Sequence, residues 1–115
     1  MKKKTGQLQL NNDGSIHASV EVVLVKEGKQ FVAYCPALEL SSYGDTEAEA
    51  HAAFDEAMEI FISETTQKGS LEKFLLRLGW TLRKQDYTPP TLSSQLLNLA
   101  LKPKAIQRHD VAFPT

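Results

Sequence analysis

An α+β fold, one antiparallel sheet with a main helix on one face, is what this 115-residue chain predicts from three observations. From Ile16 apolar and polar residues alternate with a period of two, both faces turning apolar beyond Val23 as in a central strand, and the alternation recurs from Leu38 to Ser42. Between Glu47 and Lys68 the apolar spacing lengthens to three and four, and from Trp80 to Lys84 the period of two returns. The length suits one domain with a single modest core. A composition 42% hydrophobic and 23% charged, with net charge -1, is that of a globular chain and supplies no bulk attraction for nucleic acid.

The elements follow in order. Residues 1–15 form an N-terminal segment ending in Asn11-Asn12-Asp13-Gly14, a turn cluster after which the fold proper is expected to start. Ile16, Ala18, Val20, Val22 and Leu24 share one strand face, opposite His17, Ser19 and Glu21. Lys26-Glu27-Gly28-Lys29 connects to a returning strand, Gln30 to Cys35, and completes a hairpin. Pro36 lacks an amide hydrogen and stops the pairing; Leu38, Leu40 and Ser42 then alternate in a short third strand.

Gly44 is expected to take a strained turn conformation, with Thr46 as N-cap and Glu49 three residues on reaching back to the cap amide. The main helix then runs from about Glu47 to Lys68, burying Ala50, Phe54, Ala57, Met58, Phe61, Ile62 and Thr65. Gly69 ends it in a left-handed conformation, and Ser70 caps a shorter helix that buries Leu71, Phe74, Leu75 and Leu78 and stops at Gly79. The strand from Trp80 to Lys84 is expected at a sheet edge, parallel to the strand from Ile16. These elements make a domain of residues 16–84. Residues 85–115 read as an arm and tail broken at Pro89, Pro90 and Pro103, with an apolar stretch at 92–101 and a loosely ordered segment at 102–115.

The chain is poor in catalytic constellations. Glu39, Asp45, Glu47, Glu49, Asp55, Glu56 and Glu59 lie close in sequence, but helical geometry puts Glu49, Glu56 and Glu59 on the wet face, so no metal site is expected. His17, His51 and His109 show no zinc spacing with one another or with Cys35, the one cysteine, which is read as a small buried hydrophobe in a reducing compartment. No phosphate loop, nucleophile elbow or dinucleotide fingerprint is present. The pattern points to binding, with no catalytic residue and no cofactor. No stretch has the length and apolarity of a membrane span, and no signal peptide is expected, so the chain reads as cytoplasmic.

The run "AYCPALELSSYGDTEAEAHAAFDEAMEIFI", following two strands and followed by helix and strand, resembles the HicB antitoxin family, also described as the partial RNase H-like or UPF0150 group. Pro36 stands where that family's hairpin ends, Gly44-Asp45-Thr46 where its helix starts, and Ala50 and Ala57 where alanines recur. The likeness covers about residues 16–84, including "LEKFLLRLGWTL". Where the family has a Pro-x-Leu-x-Gly phrase this chain has Glu39-Leu40, and no complete C-terminal DNA-binding domain follows.

The resemblance implies a HicB-like partial RNase H-like fold, without its catalytic carboxylates, and an antitoxin that binds and masks a HicA-like ribonuclease toxin, a small basic protein that cleaves messenger RNA. Tyr43, Asp45, Glu47 and Glu49 are the candidate partner-binding residues, the carboxylates attracting a basic RNA-binding surface. Homo-oligomers are expected from an unpaired edge strand and the apolar arm. Residues 85–115 are too few and too broken for a helix-turn-helix, so no strong sequence-specific DNA binding is expected; Lys2, Lys3 and Lys4 read as a solvated basic end. The alternatives are a solitary HicB-like regulatory module and a residual metal-dependent RNase H-like nuclease.

Overall fold

The computed structural model describes residues 7–11, 14–92 and 104–113. Along the chain run β1 (Gln7–Leu10), β2 (Ile16–Glu27), β3 (Gln30–Cys35), β4 (Leu40–Gly44), α1 (Glu47–Gln67), α2 (Leu71–Arg77), β5 (Thr81–Arg83), β6 (Asp86–Thr88) and β7 (Ala105–Phe113). The architecture is α+β, with every strand pairing antiparallel and α1 packed on the sheet.

The strand order β4-β3-β2-β1-β6-β5, with β7 also on β2, makes β2 the hub. β7 pairs with β2 from Ile16 to Leu24, while β1 pairs over Ile16–Ser19 and β3 over Val23–Glu27. A strand has two hydrogen-bonding edges. β7 therefore fills one of them, and β1 and β3 share the other end to end, forking the sheet around Val20-Glu21-Val22.

Alternation along β2 turns Val20, Val22 and Leu24 toward α1, where they join Leu8, Phe54, Met58, Ile62, Leu75 and Tyr87 in one buried core. The caps follow the sequence closely. Thr46 Oγ1 accepts from the Glu49 amide at 3.1 Å, and Glu49 Oε2 accepts from the Asp45 amide at 3.0 Å, one residue before the cap amide that was expected. Gly69 has φ 65° and Gly79 φ 92°, so both helices end on left-handed glycines.

Several expectations are corrected. Gly44 is not among the positive-φ residues. It is small because α1 passes against it: a Cβ there would meet the Ala50 amide nitrogen and come within 2.7 Å of Glu49 C. The fold does not wait for the Asn11 turn, since β1 precedes it and pairs between β2 and β6. Leu38 belongs to the turn after Pro36, where the Leu38 amide donates to Cys35 O at 3.3 Å, and β4 begins at Leu40. Ser70 makes no side-chain cap bond. β5 pairs antiparallel with β6 and lies parallel to none of its neighbours, because Lys84 and Gln85 form a two-residue turn that folds the strand straight back.

The flanks beyond the 16–84 domain enter the sheet as well. β6 lies at Asp86–Thr88, and the stretch expected to be loose contains β7, nine residues long and in unbroken register with β2. Lys2, Lys3, Lys4, Lys102 and residues 93–101 of the apolar arm lie outside the described residues.

Candidate functional site

Two places concentrate exposed or titratable side chains. The first is the junction of β4 and α1, which carries the four expected partner-binding residues. Tyr43 pairs across the sheet with Val32, and Val32 with Val25, so the three line up on the face turned away from α1. Tyr43 is 60% exposed, unusual for so large an apolar ring. Asp45, Glu47 and Glu49 follow at the start of α1, near the positive end of the helix dipole.

Part of that charge is used internally. Glu49 completes the cap, and Glu47 Oε1 lies 3.1 Å from Lys104 Nζ. The same ammonium stands 4.9 Å from the centre of the Phe31 ring, with Lys26 Nζ at 5.7 Å from it. Glu47 thus ties the helix start to the chain just before β7, while Asp45 and Glu49 remain exposed. Pairs this exposed contribute little to stability.

The second place was not foreseen as a unit. His109, buried on β7, sits against α1 with both ring nitrogens engaged: Nδ1 with Asp55 Oδ1, and Nε2 with His51 Nδ1 at 2.9 Å. The Phe54 ring meets the His109 ring edge-on, centroids 5.3 Å apart. His51 and Asp55 are one helical turn apart and so present to the strand together. An imidazole-imidazole hydrogen bond needs one donor and one acceptor, so one of the two facing nitrogens carries a proton and the other does not. Burial, and then the neighbouring His109, hold the His51 pKa below its ordinary value.

This arrangement latches β7 to α1. Both His109 nitrogens are taken, and Cys35 lies fully buried in the core, where desolvation pushes its thiol up to about 12. Among the described residues no three His, Cys, Asp or Glu side chains are arranged to hold a metal ion, and no helix is long and apolar enough to cross a membrane. A shallow depression between α1 and α2, lined in part by Leu10, Thr65, Leu71 and Tyr87, is bordered by a 2.7 Å hydrogen bond from the Tyr87 hydroxyl to Glu72.

His51 and His109 were individually visible in sequence. Their meeting was hidden by a separation of 58 in sequence and by the reading of residues 102–115 as loose. No family model matches the chain, and neither a curated protein nor a solved structure matches it.

Proposed function

We infer that the chain is a binding protein that works as a HicB-like antitoxin, masking a HicA-like ribonuclease toxin in the cytoplasm, and that its sheet and α1 form a partial RNase H-like fold. The observation that carries this reading is Tyr43: an aromatic ring 60% exposed on a sheet face, next to the acidic start of α1. A rigid aromatic anchor beside carboxylates suits a basic, RNA-binding partner, because the ring supplies buried area and the charges steer encounter. The residues quoted above for the family resemblance support the same reading.

The test begins with the neighbouring genes. A short basic open reading frame with one essential histidine is expected there. Its product is expected to arrest growth when expressed alone, to be relieved by this chain, and to co-purify with it. Tyr43→Ala combined with Asp45→Lys is expected to weaken the complex roughly tenfold to a hundredfold, about 1.4 to 2.8 kcal/mol. No such partner, or a complex indifferent to both substitutions, overturns the reading. Calorimetric binding of magnesium or manganese with RNA cleavage overturns it in favour of a nuclease.

A further inference from the structure

Among the described residues β7 pairs with β2 alone, so its second edge presents a row of main-chain donors and acceptors. Exposed edges of this kind are normally protected by a lysine or proline within the strand, by a bulge, or by being short. β7 is nine residues long, its sequence AIQRHDVAF contains neither proline nor lysine, and its register with β2 shows no slip from Ala105 to Phe113; its only charged protection is Arg108 and Asp110, one of each sign, which a second copy can pair. Ile106, 50% exposed, lies on the face turned away from α1.

We propose that β7 is the dimerisation edge of this protein: two copies pair antiparallel, β7 to β7, about a two-fold axis at His109, joining the two sheets into one. Two independent features select that register. A strand of nine residues pairs along its whole length with its own copy only when the axis passes through the fifth, and the fifth residue of β7 is His109. With the axis there, Arg108 stands opposite Asp110 of the partner subunit and Asp110 opposite the partner's Arg108, while Ile106 meets the partner's Ala112. Moving the axis one residue either way sets Arg108 against Arg108 or Asp110 against Asp110, and like charges directly opposed destabilise a pair of strands.

The contact is isologous and therefore closes after two copies. Residues directly opposite share a face, so both α1 helices fall on one side and both Tyr43 faces on the other. This inference stands apart from the antitoxin reading, since it concerns the far edge of β2 and requires no toxin.

Light scattering on the purified full chain at tens of micromolar is expected to give twice the 12.8 kDa chain mass. Asp110→Arg and Arg108→Asp each place like charges in both cross-strand pairs and are expected to weaken self-association roughly tenfold or more. Mixing the two variants restores an opposite charge at every pair, so the equimolar mixture is expected to recover the dimer. Arg108 also lies 3.4 Å from Glu21, so circular dichroism must first show that Arg108→Asp is folded. Should it fail to fold, Asp110→Arg alone decides, because it leaves that ion pair intact. A wild-type monomer, a dimer that survives Asp110→Arg, or a mixture of folded variants that stays monomeric overturns the proposal.

Discussion

The two edges of β2 are filled by strands of opposite origin. β3 reaches it through Gly28-Lys29, a connection so short that closing it costs little chain entropy. β7 arrives from the far end of the chain and pairs with Ile16–Leu24 across a long sequence separation. The hairpin continues into β4 and on to α1 through a capping box, each contact near in sequence to the last. β7 has no such local support. Its seat against the helix depends on His109 held between Asp55 and His51, with Lys104 bound to Glu47 just before the strand begins. Local closure makes one edge self-sufficient, whereas side-chain chemistry specifies the other.

The most damaging way to break this comparison is to unseat α1, on which both edges depend. Gly44→Val is expected to destabilise the fold by about 3 kcal/mol or more, because a Cβ 2.7 Å from Glu49 C meets backbone, which cannot swing aside as a side chain would. Thermal unfolding followed by circular dichroism measures it. An unchanged melting temperature would show that α1 does not press on Gly44.

His109→Ala separates the two edges. It removes the ring that bonds both His51 and Asp55, and is expected to cost about 1 to 3 kcal/mol, felt first in β7. Hydrogen exchange is expected to quicken at least tenfold in β7 amides while the β3 and β4 ladder keeps its protection. Equal loss in both regions would mean that the strands unfold as one unit.

What was legible in the sequence divides along the same line. Residues 16–79 announce themselves by locally complete signals: alternation along β2, the Thr46 cap with Glu49, the stripe of Phe54, Met58 and Ile62, and the glycines at 69 and 79. β7 carries no such signal, since its described side chains are exposed on both faces except His109. A polar residue as the lone buried position gives no hydrophobic period to read. The β5–β6 turn was concealed in the same way, because Lys84 takes φ 50° where a glycine would have marked the bend. Tyr43, Asp45, Glu47 and Glu49 lie at alternate positions in sequence and stand at one place in the fold, the junction of β4 and α1. That Lys104 would claim Glu47 depended on a contact between distant segments, which one local pattern cannot reveal.

Acid should loosen the β7 edge selectively. Because burial and His109 hold His51 below its ordinary 6.5, the unfolded chain takes up this proton before the folded one does as pH falls. The contribution is therefore complete above about pH 6.5 and declines below it, until the folded-state pKa is passed. Asp55 and Glu47, the carboxylates facing His51, partly oppose the loss. Urea midpoints measured from pH 7.5 to 5 are expected to fall, and His51→Gln to flatten the fall. A wild-type slope unchanged by His51→Gln would assign the acid sensitivity elsewhere.

The smallest effect expected is a gain, and it lies on the local side. Glu39, in the turn between β3 and β4, has φ 53°, a left-handed conformation that costs a residue with a Cβ about 1 to 2 kcal/mol. Glu39→Gly removes that strain, but it also widens the unfolded ensemble, which offsets roughly 0.4 to 1 kcal/mol. The net is an expected stabilisation of about 0.5 to 1 kcal/mol, read as a rise in the urea midpoint at constant slope. Hydrogen exchange should place the gain in β3 and β4 and leave the opening of β7 from α1 unaltered, because the turn lies on the β3 edge of β2. A loss of stability would show that the Glu39 side chain makes a contact worth more than the strain it imposes.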